Sequence, residues 1–254
     1  MMHRHRSRSA ACFVGIIMLG ACSTSAPAVA PTSSGGHRVT YVALGNGETA
    51  GNSVKDRIRS AWPQLLFRSV FPRSAVFVNF GQNSVTIDEA FDSQLAPALA
   101  LAPNVATVTL TDDTFLTGDP VDFEQKFTTF VHRLQRSGRT AVVIGNIPPG
   151  DREPGILACT SNPPAGSKPC QFSGPFDIAA ANARDAEFNA AIARVATAAN
   201  APLVDLHAAF LRARVAGQED AFWIGNDFSP NEAGHAYIAR QFAPAVRAAL
   251  KSLR

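Results

Sequence analysis

The residues best suited to chemistry lie in short segments, each following an apolar run. Gly45-Asn46-Gly47-Glu48-Thr49-Ala50-Gly51 follows Val42-Ala43-Leu44, and a glycine-rich turn in that setting can cradle the phosphates of a dinucleotide. The spacing here is G-x-G-x-x-x-G, one residue longer than that fingerprint, and no acid ends the second apolar run to hold a ribose, so the segment departs from that pattern twice. Glu48, Asp112, Asp113 and Asp227 also follow apolar runs. Paired carboxylates can hydrolyse glycosides, and clustered ones can hold a divalent cation. Acids are equally common as solvated loop residues and as helix caps, the role expected of Asp119 before Pro120 and Asp177 before Ile178. Ser84 and His235 supply a hydroxyl and an imidazole, the residue types of a nucleophile and its base. His235 and His207 nevertheless read as packing residues that open helices, and His132, beside Arg133, as solvated. No metal or cofactor is expected.

These segments need elements to position them. The runs Arg38–Leu44, Ala75–Phe80, Val105–Thr111, Thr140–Asn146 and Pro202–Leu206 are nearly continuously apolar, as in strands covered on both faces of a parallel sheet. Helical patterns fall between them, at Ser53–Val70, Ile87–Leu101, Val121–Arg136, Ile178–Ala199 and Asn231–Leu253. The alternation predicts right-handed βαβ units: an α/β fold, a three-layer α/β/α sandwich with a five-stranded parallel sheet. Ligands in such folds bind beyond the carboxyl ends of the strands, where the segments above lie. Trp62, before Pro63, reads as core; Trp223 either lines the cleft floor or closes the domain edge.

Residues 1–21 combine a basic start (Arg4, Arg6, Arg8) with a short apolar stretch, the pattern of a secretory signal too short to span a membrane. The stretch ends Leu19-Gly20-Ala21-Cys22, which resembles a bacterial lipobox with Cys22 as the lipidated residue; an ordinary signal with a coincidental cysteine is the alternative. Residues 22–36 are small, Pro-rich and uncharged, as in a flexible tether, leaving 37–254 as one domain. The expected location is the extracytoplasmic face of a bacterial cell membrane, held there by lipid. Outside the cytoplasm, Cys159 and Cys170 are most simply a disulfide closing a Pro- and Gly-rich loop; a metal site would need further ligands at suitable spacing.

The 254 residues are 46% hydrophobic, 17% charged and 8% aromatic, which excludes disordered, collagen-like and disulfide-scaffold proteins. The net charge of +3 comes from the three arginines of the signal, and the rest of the chain is neutral. No broad basic footprint exists, so nucleic acid is not an expected partner.

The glycine-rich turn also resembles the first block, Gly-Asp-Ser-x-Thr-x-Gly, of the SGNH/GDSL hydrolases, a family with a flavodoxin-like α/β/α fold. Asn79-Phe80-Gly81 resembles the second block, Asn104–Leu116 the strand into the Gly-x-Asn-Asp block, and Asn226–His235 the last block, Asp-x-x-His-Pro-x-x-x-Gly. Gly145-Asn146-Ile147-Pro148 and Leu203–Phe210 resemble the exits of strands four and five. The resemblance implies an ester or acyl hydrolase. Matched residue by residue, it also implies that the catalytic set is replaced: Gly47 stands at the serine position and Asn46 at the preceding aspartate. Thr111 and Asp113 stand at the third-block glycine and oxyanion-hole asparagine, and Asn226 and Ser229 at the catalytic Asp and His. Gly81 alone keeps the family residue, a glycine whose N–H serves the oxyanion hole.

Gly47 offers no nucleophile and Ser229 no base, and loss of either partner in such enzymes costs about a millionfold in turnover. An ionised Asp113 would repel a developing oxyanion. The expectation is an inactive, membrane-anchored member whose cleft, lined by Asn46, Gly47, Glu48, Gly81, Asp112, Asp113, Asn226 and Ser229, binds a small polar or glycan ligand. The alternative is an active esterase, lipase or carbohydrate deacetylase with a non-standard residue set. The 149–176 loop is long enough to roof the cleft.

Overall fold

The computed structural model describes residues 38–110, 118–167, 169–170, 175–223 and 228–253. Five strands, β1 (Thr40–Gly45), β2 (Val76–Asn79), β3 (Val105–Thr109), β4 (Ala141–Gly145) and β5 (Leu203–Val204), form one sheet in the order β2-β1-β3-β4-β5. All four pairings are parallel, with Val42 opposite Val78 and Ala106, and Thr107 opposite Val143.

Alternation along the strands divides the core into two layers. Val42, Leu44, Ala106, Val108, Val142 and Ile144 face one side. There they meet α4 (Ile87–Ala90), α5 (Ala96–Ala100), α6 (Pro120–Gln135) and α8 (Ile178–Ala198). Tyr41, Ala43, Val105 and Val143 face the other, against α3 (Trp62–Val70), α9 (Leu206–Val215) and α10 (Glu232–Ser252). Trp62 is fully buried and stacks on Phe242 of α10 with ring centres 4.5 Å apart. Every strand and both layers lie within the compact unit His37–Arg254, which therefore contains what a domain needs to fold alone.

Asp119 and Asp177 are N-caps as expected, accepting from Val121 N at 2.9 Å and from Ala179 N at 2.9 Å. The helix expected over Ser53–Val70 begins later and is broken in two. Asp56 caps α2 (Arg57–Ser60), Ala61 is extended, and α3 starts afresh with Pro63 in its first turn. The 87–101 pattern is helical, but a wider π turn (Phe91–Leu95) links α4 to α5 just before Pro97, which has no N–H for the ordinary bond. The fifth strand is two residues rather than five, because Asp205 accepts from Ala208 N at 2.9 Å and opens α9. Two short helices, α1 (Gly47–Ala50) and α7 (Pro154–Leu157), and a 3₁₀ turn (Glu219–Phe222) complete the secondary structure of the described residues, none of whose helices is long and apolar enough to cross a membrane.

Candidate functional site

The sheet order reverses between β1 and β3, so the crevice between their carboxyl ends is where this topology places a ligand. The β1 exit is held rigidly there. The side-chain amide of the buried Gln94 brackets Gly45, accepting its N–H at 2.8 Å and donating to its carbonyl at 2.9 Å. The hydroxyls of Thr49 and Thr109 lie 2.5 Å apart and tie α1 to the end of β3.

Gly47 opens α1, with its carbonyl accepting from Asn52 N at 2.9 Å. A side chain there would meet an amide pair: Asn52 Nδ2 donates to Asn83 Oδ1 at 2.7 Å, and a Cβ on Gly47 would lie 2.6 Å from Asn52 Nδ2. The next residue, Glu48, is half-buried, and Asn46 is buried.

Gly81 is held differently from the free donor expected of it. Its N–H donates to Asn79 Oδ1 at 2.9 Å, while Asn79 Nδ2 donates to Thr49 O at 2.6 Å. A Cβ at Gly81 would lie 2.5 Å from Ala50 N, so glycine is required for the β2 exit to rest on the α1 turn.

At the last block, Ser229 is buried, and Asn231 caps α10 by accepting from Ala233 N at 2.8 Å. His235 follows, fully buried. Its Nδ1 accepts the N–H of Trp62 at 3.1 Å, so Nε2 carries the proton and donates to Asn52 O at 3.0 Å. Burial pushes its pKa down to about 4. Both ring nitrogens are engaged, so His235 cannot serve as base for Ser84, which lies exposed on a turn with φ of 53°. The backbone N–H of His207 donates to Asn146 Oδ1 at 3.0 Å, and Asn146 Nδ2 donates to Asp205 Oδ1 at 2.9 Å, joining the exits of β4 and β5, while the His207 ring meets the side-chain amide of Asn189, Nδ1 to Nδ2 at 3.4 Å. His132 is exposed, and Trp223 packs against the second core layer.

The β4 exit brings in acids that sequence reading missed. Asp151 is clamped by Arg214, whose Nη1 and Nη2 donate at 3.0 and 2.6 Å. The same guanidinium binds Glu219 through Nε at 2.5 Å and Nη2 at 3.1 Å. Beside this clamp, Glu153 Oε1 and Asp185 Oδ2 lie 3.7 and 4.0 Å from the position a Cβ on Gly150 would take. Glu153 has its pKa raised well above the usual carboxylate range, first by burial and then by Glu48, Asp185, Asp151 and Glu219. Burial also raises Asp185, to about 6, against the opposing hydrogen bond from the Gly150 backbone. Its Oδ1 is buried and meets no hydrogen-bond partner among the described residues.

The disulfide Cys159–Cys170 closes the loop that follows α7. Gly155 of α7 lies against the Phe228 ring, where an added Cβ would come within 2.7 Å, so α7 packs on the residue before Ser229. Among the described residues no group of three or more His, Cys, Asp or Glu is arranged to hold a metal ion.

Residues 43–237 match the model of the GDSL-like Lipase/Acylhydrolase family. The chain belongs to this family. Among solved structures, a putative GDSL-like lipase from Parabacteroides merdae superposes with a TM-score of 0.65 at 11% identity, over 83% of this chain and 96% of that one. A lipase/acylhydrolase from Enterococcus faecalis gives 0.60 at 16% identity, over 83% and 96%. The psychrotrophic esterase EstA from Pseudoalteromonas sp., in a structure inhibited by monoethylphosphonate, gives 0.57 at 16% identity, over 84% and 98%. No curated protein matches the chain.

In this GDSL-family chain, Asn46, Gly47, Glu48 and Gly81 gather at the β1 and β2 exits. Ser229 lies buried within the final block, next to Phe228, which packs on Gly155 of α7. Thr111, Asp112, Asp113, Asn226, Asp227 and Cys22 lie outside the described residues. Glu153 and Asp185 fall in none of the family's motif blocks. Glu153 sits inside a long loop and Asp185 on an otherwise apolar helical stripe, where a lone acid was the available clue.

Proposed function

We propose that this protein is a lipid-anchored member of the GDSL family on the extracytoplasmic face of a bacterial membrane, attached through Cys22. Ester hydrolysis has been lost and the cleft beside Gly47 binds a small polar or glycan ligand. The observation that carries this reading is Gly47 itself: the position matched to the family's serine has no side chain, and the Asn52–Asn83 amide pair takes the space beside it. The buried, doubly bonded His235 supports it, because it leaves that imidazole unable to take up a proton at neutral pH. The acids Glu48, Asp151, Glu153, Asp185 and Glu219, of which Arg214 pairs with Asp151 and Glu219, favour hydroxylated or cationic ligands over carboxylates.

The deciding experiment is hydrolysis of short- and medium-chain aryl esters and acetylated sugars by the His37–Arg254 unit. The expected rate is that of buffer, unchanged by Gly47→Ala. A second reading, hydrolysis through a different residue set, is favoured by one observation. Burial holds the Glu153 carboxyl well above the usual carboxylate range, beside Asp185 raised to about 6, the setting of a general acid. A rate well above buffer that survives Gly47→Ala and falls on Glu153→Gln would replace the first reading with the second.

A further inference from the structure

We propose that the tip formed by Lys55, Arg57, Ile58, Arg59 and Arg68 is a docking surface for an anionic lipid bilayer. Ile58 is 82% exposed, and a single exposed isoleucine on a protein surface would need no explanation. This one projects from the short helix α2 between two exposed arginines, with exposed Lys55 three residues before it. Arg68 of α3 joins the group, because its guanidinium donates to the carbonyl of Arg59.

The acids nearby leave the tip positive. Asp56 is occupied in capping α2, accepting from Arg59 N at 3.1 Å, and in a 3.4 Å pair with the Arg59 side chain. Glu232 accepts the backbone N–H of Lys55 at 3.1 Å, which holds its carboxyl below the usual range and fastens the tip to the start of α10. Four cations therefore face two carboxylates already engaged in backbone bonds. This is the pattern of an interfacial contact, with an apolar side chain to enter the headgroup boundary and basic residues around it to meet anionic phosphates.

Topology sets the consequence. The tip lies between α1 and α3 and is bonded to Glu232, the first residue of α10 and part of the last block, so it is at the same end of the sheet as the cleft. Docking by this tip holds the cleft toward the membrane, and the contact does not depend on lipid at Cys22.

The test is sedimentation of the His37–Arg254 unit with vesicles of phosphatidylcholine alone or with about a third phosphatidylglycerol, at low salt. Binding to the anionic vesicles alone is expected. Each basic residue removed should weaken it about fivefold, and charge reversal in Arg57→Glu with Arg59→Glu by more than that. Ile58→Asp should also weaken binding, while Arg139→Glu, in the exposed turn before β4 at the opposite end of the sheet, should leave it unchanged. No binding to anionic vesicles, or binding indifferent to the Arg57/Arg59 pair, overturns the proposal. Binding that is lost with that pair but indifferent to Ile58→Asp shows charge attraction without entry of an apolar side chain and overturns it equally.

Discussion

Nδ1 of His235 accepts the backbone N–H of Trp62 at 3.1 Å, joining the last helix to the first residue of α3. Its other nitrogen reaches Asn52 O, and the N–H of Asn52 returns to Gly47 O. One buried imidazole thus fixes the turn at which the family's serine would stand.

Replacing His235 by alanine should cost about 3–5 kcal/mol, since it empties a packed site and leaves a buried donor and acceptor without partners. The pH dependence is specific. The folded pKa of about 4 lies below the ordinary value of 6.5, so the stabilisation is complete above pH 6.5 and is lost as pH falls toward 4. Denaturant titrations should show the wild type losing about 3 kcal/mol relative to His235→Ala over that interval. A constant difference between the two would refute the assignment.

Asp185 has the opposite sign. Its pKa rises from 3.8 to about 6, so it favours the fold only at low pH and opposes it once ionised. Asp185→Asn should raise stability at pH 7 by up to about 3 kcal/mol and change little below pH 3.8. Equal effects at both pH values would show that the substitution acts through packing alone.

Much of this architecture was legible in the sequence. Strands covered on both faces appear as unbroken apolar runs, and β1, β3 and β4 stand where those runs lie. The edge of the sheet was less legible. Leu203–Val204 continues into an apolar helix, Leu206–Val215, with only Asp205 to mark the change, so a short edge strand and the helix after it read as one element. The site divided in the same way. The turn residues Gly47 and Gly81 announce themselves by type and spacing. Three-dimensional relations do not: the amide pair beside Gly47, the Asn79 side chain on Gly81 N–H, and the meeting of Glu153 with Asp185 across Gly150 join residues 31 and 32 positions apart in the first and last cases.

The two site glycines should respond differently to alanine. At Gly81 the new methyl meets the backbone nitrogen of Ala50, which cannot move without breaking the α1 turn. A loss of about 3 kcal/mol or more, read as a fall in Tm, is expected. At Gly47 it meets the end of the Asn52 side chain, which can rotate away once its bond to Asn83 breaks, at a cost of about 1 kcal/mol. Similar losses at both sites would contradict this contrast.

Arg214→Ala should cost about 3–5 kcal/mol, because it leaves Asp151 and Glu219 without their shared cation, and the Glu219 side chain has almost no access to water. Arg214→Lys should recover only part of the loss, since an ammonium cannot span two carboxylates in the plane of a guanidinium. Full recovery by lysine in thermal denaturation would mean that charge, without geometry, suffices.

The brevity of β5 has a consequence for how copies of this protein meet. An open sheet ends in two unpaired rims, each able to template the strand of a neighbouring molecule. Here one rim is a two-residue strand that passes straight into a capped helix, too short to seat an incoming segment in a fixed register. Sheet-to-sheet polymerisation is therefore discouraged at this rim by length alone, and crowded copies can lie side by side without joining their sheets there.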